Sequence, residues 1–165
     1  MVVAGLASPS SMMNLEMLFW DWGSTEAVNI PGEEGTSRGS IYGHSAVPGV
    51  IAVGAIDVND AGLNDIRPYS SQGPSYVPFS STPSRTKPDI CGVDGVSVTG
   101  VGGFGSPFLG TSAAAPHVAA ICGLIKQKYS KWTPSQVKNY LESNAYDLGT
   151  PGKDNVYGSG LVDLS

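Results

Sequence analysis

The stretch Gly110-Thr111-Ser112-Ala113-Ala114-Ala115-Pro116-His117-Val118-Ala119-Ala120 constrains this chain more than any other. A glycine, two hydroxyl residues and three alanines predict a helix that begins directly behind a position with no side chain. Such a helix end leaves backbone N–H groups unpaired and carries partial positive charge, so it favours a developing anion. Ser112 stands at that end, where a nucleophile would stand, and its own N–H is placed to donate to an oxyanion. Gly110 lets another backbone come close, and the slim first turn from Thr111 onward leaves room for a substrate strand. Pro116 suits a first turn, whose N–H groups have no helical partners. A reading without chemistry takes Thr111 as an N-cap and the alanines as helix formers.

Four further segments carry the same signature in order. Residues 47–57 form a near-continuous apolar run, expected as a strand buried on both faces of a parallel sheet. Tyr69-Ser70-Ser71-Gln72-Gly73-Pro74 is a turn, Lys87-Pro88-Asp89-Ile90-Cys91-Gly92 follows, and Tyr157-Gly158-Ser159-Gly160-Leu161-Val162-Asp163 closes the chain. Together with the Gly-Thr-Ser-x-Ala-x-Pro pattern around Ser112, these segments resemble the subtilisin-like serine peptidases over residues 40–163. The resemblance implies an α/β fold, a partial subtilisin-like domain with a parallel sheet and a buried central helix. It also implies a peptide or protein substrate, Ser112 as nucleophile and oxyanion donor through its N–H, and Gly110 and Thr111 lining the cleft. No cofactor or metal is implied.

The family's base is a histidine in a His-Gly-Thr-His-type motif, and its orienting acid lies in an Asp-x-Gly motif, both well before the Val50 region. This chain has two histidines, His44 and His117, and neither stands in such a motif. His117 follows Ser112 by five residues, about 7.5 Å of rise and roughly 140° of rotation on one helix, so its ring is not expected to reach the hydroxyl. His44 reads as a turn or packing histidine, with a substitute base as the alternative. The family's oxyanion asparagine is not visible either. One alignment puts Glu33 of Pro31-Gly32-Glu33-Glu34-Gly35 in its place, where a carboxylate would repel the oxyanion. The preferred alignment matches Ser40-Ile41-Tyr42-Gly43-His44-Ser45-Ala46 to relatives carrying an inserted β-domain, and leaves Glu33 a loop acid.

These gaps place the shortfall at the N-terminal side: the N-terminal half of the domain is expected to be missing. Residues 37–165 then form the C-terminal part of a catalytic domain. Residues 1–36 read as a poorly defined stub, a remnant of an inserted β-domain, with Asn14-Leu15-Glu16-Met17-Leu18-Phe19-Trp20-Asp21-Trp22 as its strand. With neighbouring strands and helices absent, apolar surface on the Val50 strand and the Ser112 helix should lie open. At 165 residues and 41% hydrophobic, the chain has enough apolar content for a core. A net charge of −5 argues against a nucleic-acid partner. No lysine or arginine precedes Arg38, so a signal-peptide n-region is absent, and no apolar run nears the about 18 residues of a membrane span. Compartment and oligomeric state stay open, although full-length relatives are often secreted.

Two helices are expected. The first runs from about Ser112 to Tyr129, apolar nearly all round and therefore central and buried. The second opens at Thr133-Pro134-Ser135-Gln136, a capping box with proline at the first position, and runs to about Ala145 with Val137, Tyr140 and Leu141 inward. A short strand is expected at residues 96–99. Gly35-Thr36-Ser37-Arg38-Gly39 matches a nucleophile elbow in pattern, but it lacks the strand before and the helix after that the elbow needs. Asp57-Val58-Asn59-Asp60-Ala61-Gly62 opens like a calcium loop and fails at Ala61 and Pro68. Cys91 and Cys122 lack zinc-type spacing, and their pairing is open.

Overall fold

The computed structural model describes residues 38–77 and 84–163, all within the unit Ser37–Ser165. The expected strand at 14–22, Glu33 and Ser37 lie outside the described residues. In chain order the elements are β1 (Val53–Asp57), β2 (Ser75–Tyr76), β3 (Ser84–Arg85), β4 (Ile90–Asp94), α1 (Thr111–Lys128) and α2 (Pro134–Ser143). Single 3-10 turns occur at Gly43–Ala46 and Val101–Gly103.

The centre is the parallel pair β1 and β4, with Val53 opposite Ile90 and Asp57 opposite Asp94. The C-terminal segment continues this pairing: Cys91 N–H donates to Gly160 O (2.8 Å) and Val162 N–H to Cys91 O (2.9 Å). Side chains alternate across a strand, so successive residues of β4 feed different clusters. Ile90 packs with Val118, Ile125, Val137 and Leu141 from α1 and α2. Cys91 packs with Ile56 and Leu148. The architecture is α/β, a small parallel sheet with a helix laid on it. β2 and β3 form a separate antiparallel pair.

Several expectations change. Only residues 53–57 of the 47–57 run are strand. Pro48 has no N–H for a ladder, Val47 and Val50 are exposed, and Val50 N–H closes a turn onto Val47 O. Residues 96–99 are not a strand; Val96 makes one antiparallel bridge to Phe108. α1 is not buried all round: Ala113, Ala114, Val118 and Ile125 are buried, whereas Leu124 is 57% exposed. The sheet and α2 meet one side of α1, and its apolar character on the other side finds no cover among the described residues. Pro116 lies in the second turn, not the first, because α1 starts at Thr111. There it deprives the Ser112 carbonyl of its helical donor. No helix among the described residues is long and apolar enough to cross a membrane.

α2 is as expected at its start. Thr133 accepts from Gln136 N–H (3.3 Å), and the Gln136 side chain accepts from Thr133 N–H (2.8 Å). The helix ends at Ser143, two residues short of the expected boundary. Val137 and Leu141 are buried and Tyr140 packs against the same cluster. Thr133→Ala should lower stability by about 1 kcal/mol, measured as a lower urea midpoint with an unchanged slope.

Candidate active site around Ser112

β4 ends at Asp94, and the chain leaves the sheet at Gly95. Gly95 N–H donates to Phe108 O (3.0 Å) and Phe108 N–H to Val96 O (2.8 Å). The chain between them is thus an excursion that returns to the strand end. Phe104, 55% exposed, folds back onto Phe108 within it at 4.8 Å between ring centroids. This closure sets Gly110 and the start of α1 at the C-terminal edge of the parallel sheet, where open α/β sheets hold their ligands.

Gly110 is the N-cap of α1, with φ 103° and ψ 164°, and no side chain caps the helix. Thr111 is therefore the first helical residue and not the cap. A side chain at Gly110 would be strained at this φ. Gly110 O accepts from Ala113 (2.8 Å) and Ala114 (3.3 Å), so the first turn is closed by the glycine's carbonyl. Ser112 is exposed. Among the described residues, neither its Oγ nor its N–H has a hydrogen-bond partner. Both groups are free for a ligand at the positive end of an 18-residue helix. Thr111 is half-buried and lines a recess with Ile41, Tyr42, Ala52, Val53 and Ser71.

Neither histidine is brought to Ser112 by any hydrogen bond. His117 Nδ1 lies 2.8 Å from Ala113 O, one turn back on its own helix. Its ring lines a different recess with Leu63, Ile121, Tyr146 and Leu161. His44 is exposed within the 3-10 turn Gly43–Ala46, where its carbonyl accepts from Val47 N–H. The acids at and just after the end of β1 have partners of their own: Asp57 accepts from Asn59 N–H (2.9 Å) and pairs with Arg67 (2.8 Å), and Asp60 accepts from Asn64 N–H (2.8 Å) and Asp65 N–H (3.2 Å). No group of metal-ligating side chains occurs among the described residues. Cys91 and Cys122 are both free thiols. Cys91 is fully buried, and burial pushes its thiol up to about 12. Cys122, expected as buried, is half-buried.

One group that touches the N-cap of α1 escaped the sequence reading. Asp94 is fully buried at the end of β4. Its Oδ2 accepts from Gly110 N–H (2.8 Å) and from the Tyr69 hydroxyl. Its Oδ1 accepts from Arg67 Nε (2.7 Å), and the same guanidinium reaches Asp57 across the sheet (2.8 Å). Burial works against its charge, but the hydrogen bonds from Tyr69, Arg67 and Gly110 outweigh it and hold the carboxyl below the usual range. The signal in the sequence was an acid closing the apolar run Ile90-Cys91-Gly92-Val93 directly before a glycine. Such a carboxylate, if buried, must find donors.

The described residues thus set a helix N-terminus at the C-terminal edge of a parallel sheet, with a serine in the first turn whose hydroxyl and N–H have no partner among them. The chain belongs to the Subtilase family (peptidase S8), whose model matches residues 23–160. It is similar to M-protease of Shouchella clausii (strain KSM-K16), at 32% identity over 160 residues, covering 96% of this chain and 37% of that protein. Subtilisin Savinase of Lederbergia lenta is also 32% identical over 160 residues, covering 96% of this chain and 52% of that protein. Subtilisin J of Geobacillus stearothermophilus is 37% identical over 135 residues, 81% of this chain and 31% of that protein. The chain thus spans about half or less of the length of these relatives.

Proposed function

We propose that this chain carries the nucleophile-bearing part of a subtilisin-like serine endopeptidase, with Ser112 as nucleophile. The observation that carries this reading is Ser112, whose hydroxyl and N–H both lack a partner among the described residues, in the first turn of α1 behind Gly110. In the reaction, Ser112 Oγ adds to the peptide carbonyl carbon and gives up its proton to a histidine base. The oxygen takes the electron pair and accepts from Ser112 N–H. Collapse expels the amine, which takes the proton, and water then releases the acyl group from Oγ. The base and its orienting aspartate are absent from this chain in this reading. Residues 37–165 are the C-terminal part of the catalytic domain, and Gly110 and Thr111 border its cleft.

A fluorophosphonate probe tests this on the 165-residue chain. Slow labelling is expected, because a site without its base keeps the reactivity supplied by the oxyanion donor. Ser112→Ala should abolish the labelling, and an adduct that survives in this variant, on Ser37 for example, would sink the reading.

A second reading is favoured by the family match beginning at residue 23, ahead of Glu33. If Glu33 takes the oxyanion asparagine's place, its carboxylate opposes the developing charge, and the chain is a non-catalytic relative that binds a peptide or protein partner. In that case the unsubstituted chain should not label, whereas Glu33→Asn should gain Ser112-dependent labelling.

A further inference from the structure

We infer that Asp94 is a positioning residue for the Ser112 site, holding Gly110 by its backbone N–H and thereby setting where the first turn of α1 stands. The inference rests on the reading of Ser112 as nucleophile for its consequence, and on the geometry around Asp94 for its substance.

Gly110 has no side chain with which to anchor itself, and its φ of 103° gives it no helical bond through its own N–H. That N–H donates instead to Asp94 Oδ2 at 2.8 Å. The acceptor is held from three directions: by its own strand, by the Tyr69 hydroxyl and by Arg67 Nε. Arg67 is in turn held by Asp57, the residue opposite Asp94 in the sheet register. Arg67 N–H also donates to Ala55 O (2.9 Å), which ties the guanidinium's own backbone to β1. The carboxylate is therefore a rigid peg on the sheet and not a mobile side chain. Its buried charge makes the bond to Gly110 stronger than one between neutral groups. Gly110 O closes the first turn onto Ala113 and Ala114. A shift of Gly110 must then carry the Ser112 N–H and Oγ with it.

The charged and titratable groups facing Asp94 are Arg67, Tyr69 and, through Arg67, Asp57. None of them touches Ser112. Asp94 accordingly acts on the reaction through Gly110, not through the substrate. A misplacement of about 1 Å at a reacting group can lower a rate by roughly 10²-fold, which sets the scale for losing the peg.

Amide NMR of the full 165-residue chain tests this without needing activity. In Asp94→Asn, the Gly110 amide should exchange about 10- to 100-fold faster, the scale of one hydrogen bond to a charged group. The Ser112 amide resonance should move with it, while the Thr133 amide at the α2 cap stays in place. Tyr69→Phe removes one donor but keeps the Gly110 bond, so the Ser112 resonance should stay near its original position. A Ser112 amide that does not respond to Asp94→Asn overturns the inference. Should Asp94→Asn not fold, the unsubstituted chain decides: a Gly110 amide that exchanges as fast as a solvent-exposed one overturns it, and a strongly protected one supports it. Fluorophosphonate labelling separates the two readings. If Ser112 does not label but its amide follows Asp94, the nucleophile reading falls and the positioning inference stands. If Ser112 labels at the same rate with and without the Asp94 carboxylate, the nucleophile reading stands and the positioning inference falls.

Discussion

Asp89→Asn should destabilise the fold by about 3–5 kcal/mol, the scale of leaving a buried partner charge uncompensated. Asp89 is 1% exposed and Lys87 2% exposed, with their charged groups 2.6 Å apart. The carboxylate also takes Lys138 of α2 (2.7 Å), Lys153 of the C-terminal loop (2.9 Å) and Ala52 N–H at the entry to β1 (2.8 Å). Four parts of the chain meet on one side chain. The amide would keep an acceptor but lose the charge, and the buried Lys87 ammonium would be left with neutral acceptors, Val47 O and Val50 O among them, and no counter-charge from residue 89. A urea titration of the two chains reads the loss. A change below about 1 kcal/mol would mean that the three lysines behave as surface charges do.

The same hub sets an acid limit. Burial raises the Asp89 pKa, but the bonds from Lys138, Lys87, Ala52 and Lys153 outweigh it and bring it to about 2, from 3.8 for a free side chain. Because the folded pKa is the lower one, this stabilisation is fully present above the free value. It fades as pH falls from there through about 2. Asp89→Asn should therefore flatten the stability profile between those limits and leave its shape near neutral pH unchanged.

Gly160→Ala should be at least as severe, with a loss of more than about 3 kcal/mol from strain and broken pairing together. Gly160 has φ 111°, a region closed to side chains, and a Cβ there would lie 2.0 Å from Tyr146 O. That oxygen already accepts from Leu161 N–H (3.0 Å), while Tyr146 N–H donates to Leu161 O (2.8 Å). Gly160 O also receives Cys91 N–H from β4. The substitution would push the C-terminal segment off the sheet, exposing Cys91, which a thiol reagent would report. Protection of Cys91 equal to that in the unsubstituted chain would contradict the expectation.

Legibility in the sequence followed the range of the interactions. The α2 start was readable because the Thr133–Gln136 box is complete within four residues. The α1 start is legible to within one residue from Gly110-Thr111-Ser112, yet the sequence lets Thr111 pass for the cap and Pro116 for a first-turn residue. A cap at Gly110 and a cap at Thr111 differ only in the backbone angles of those two residues. Residues 47–52 carried an apolar composition that suits a strand, but strand pairing needs a neighbour, and the ladder to β4 begins only at Val53. The expectation of a helix buried all round failed for the same reason. Composition records which faces can be buried, whereas what lies against them decides which ones are.

Local chemistry in the amino-acid order was enough to mark a helix N-terminus with a serine in its first turn, a capping box and a subtilase signature. Those features depend on neighbours a few residues apart. Only the tertiary structure could decide that Asp94, sixteen residues before Gly110, holds its N–H, and that Asp89 gathers lysines from Lys87 to Lys153. Nothing in a carboxylate's sequence surroundings says which donors will meet it. The pairing is set when β1, β4 and the helices close around the sheet, because a buried charge persists only where that closure brings its partners.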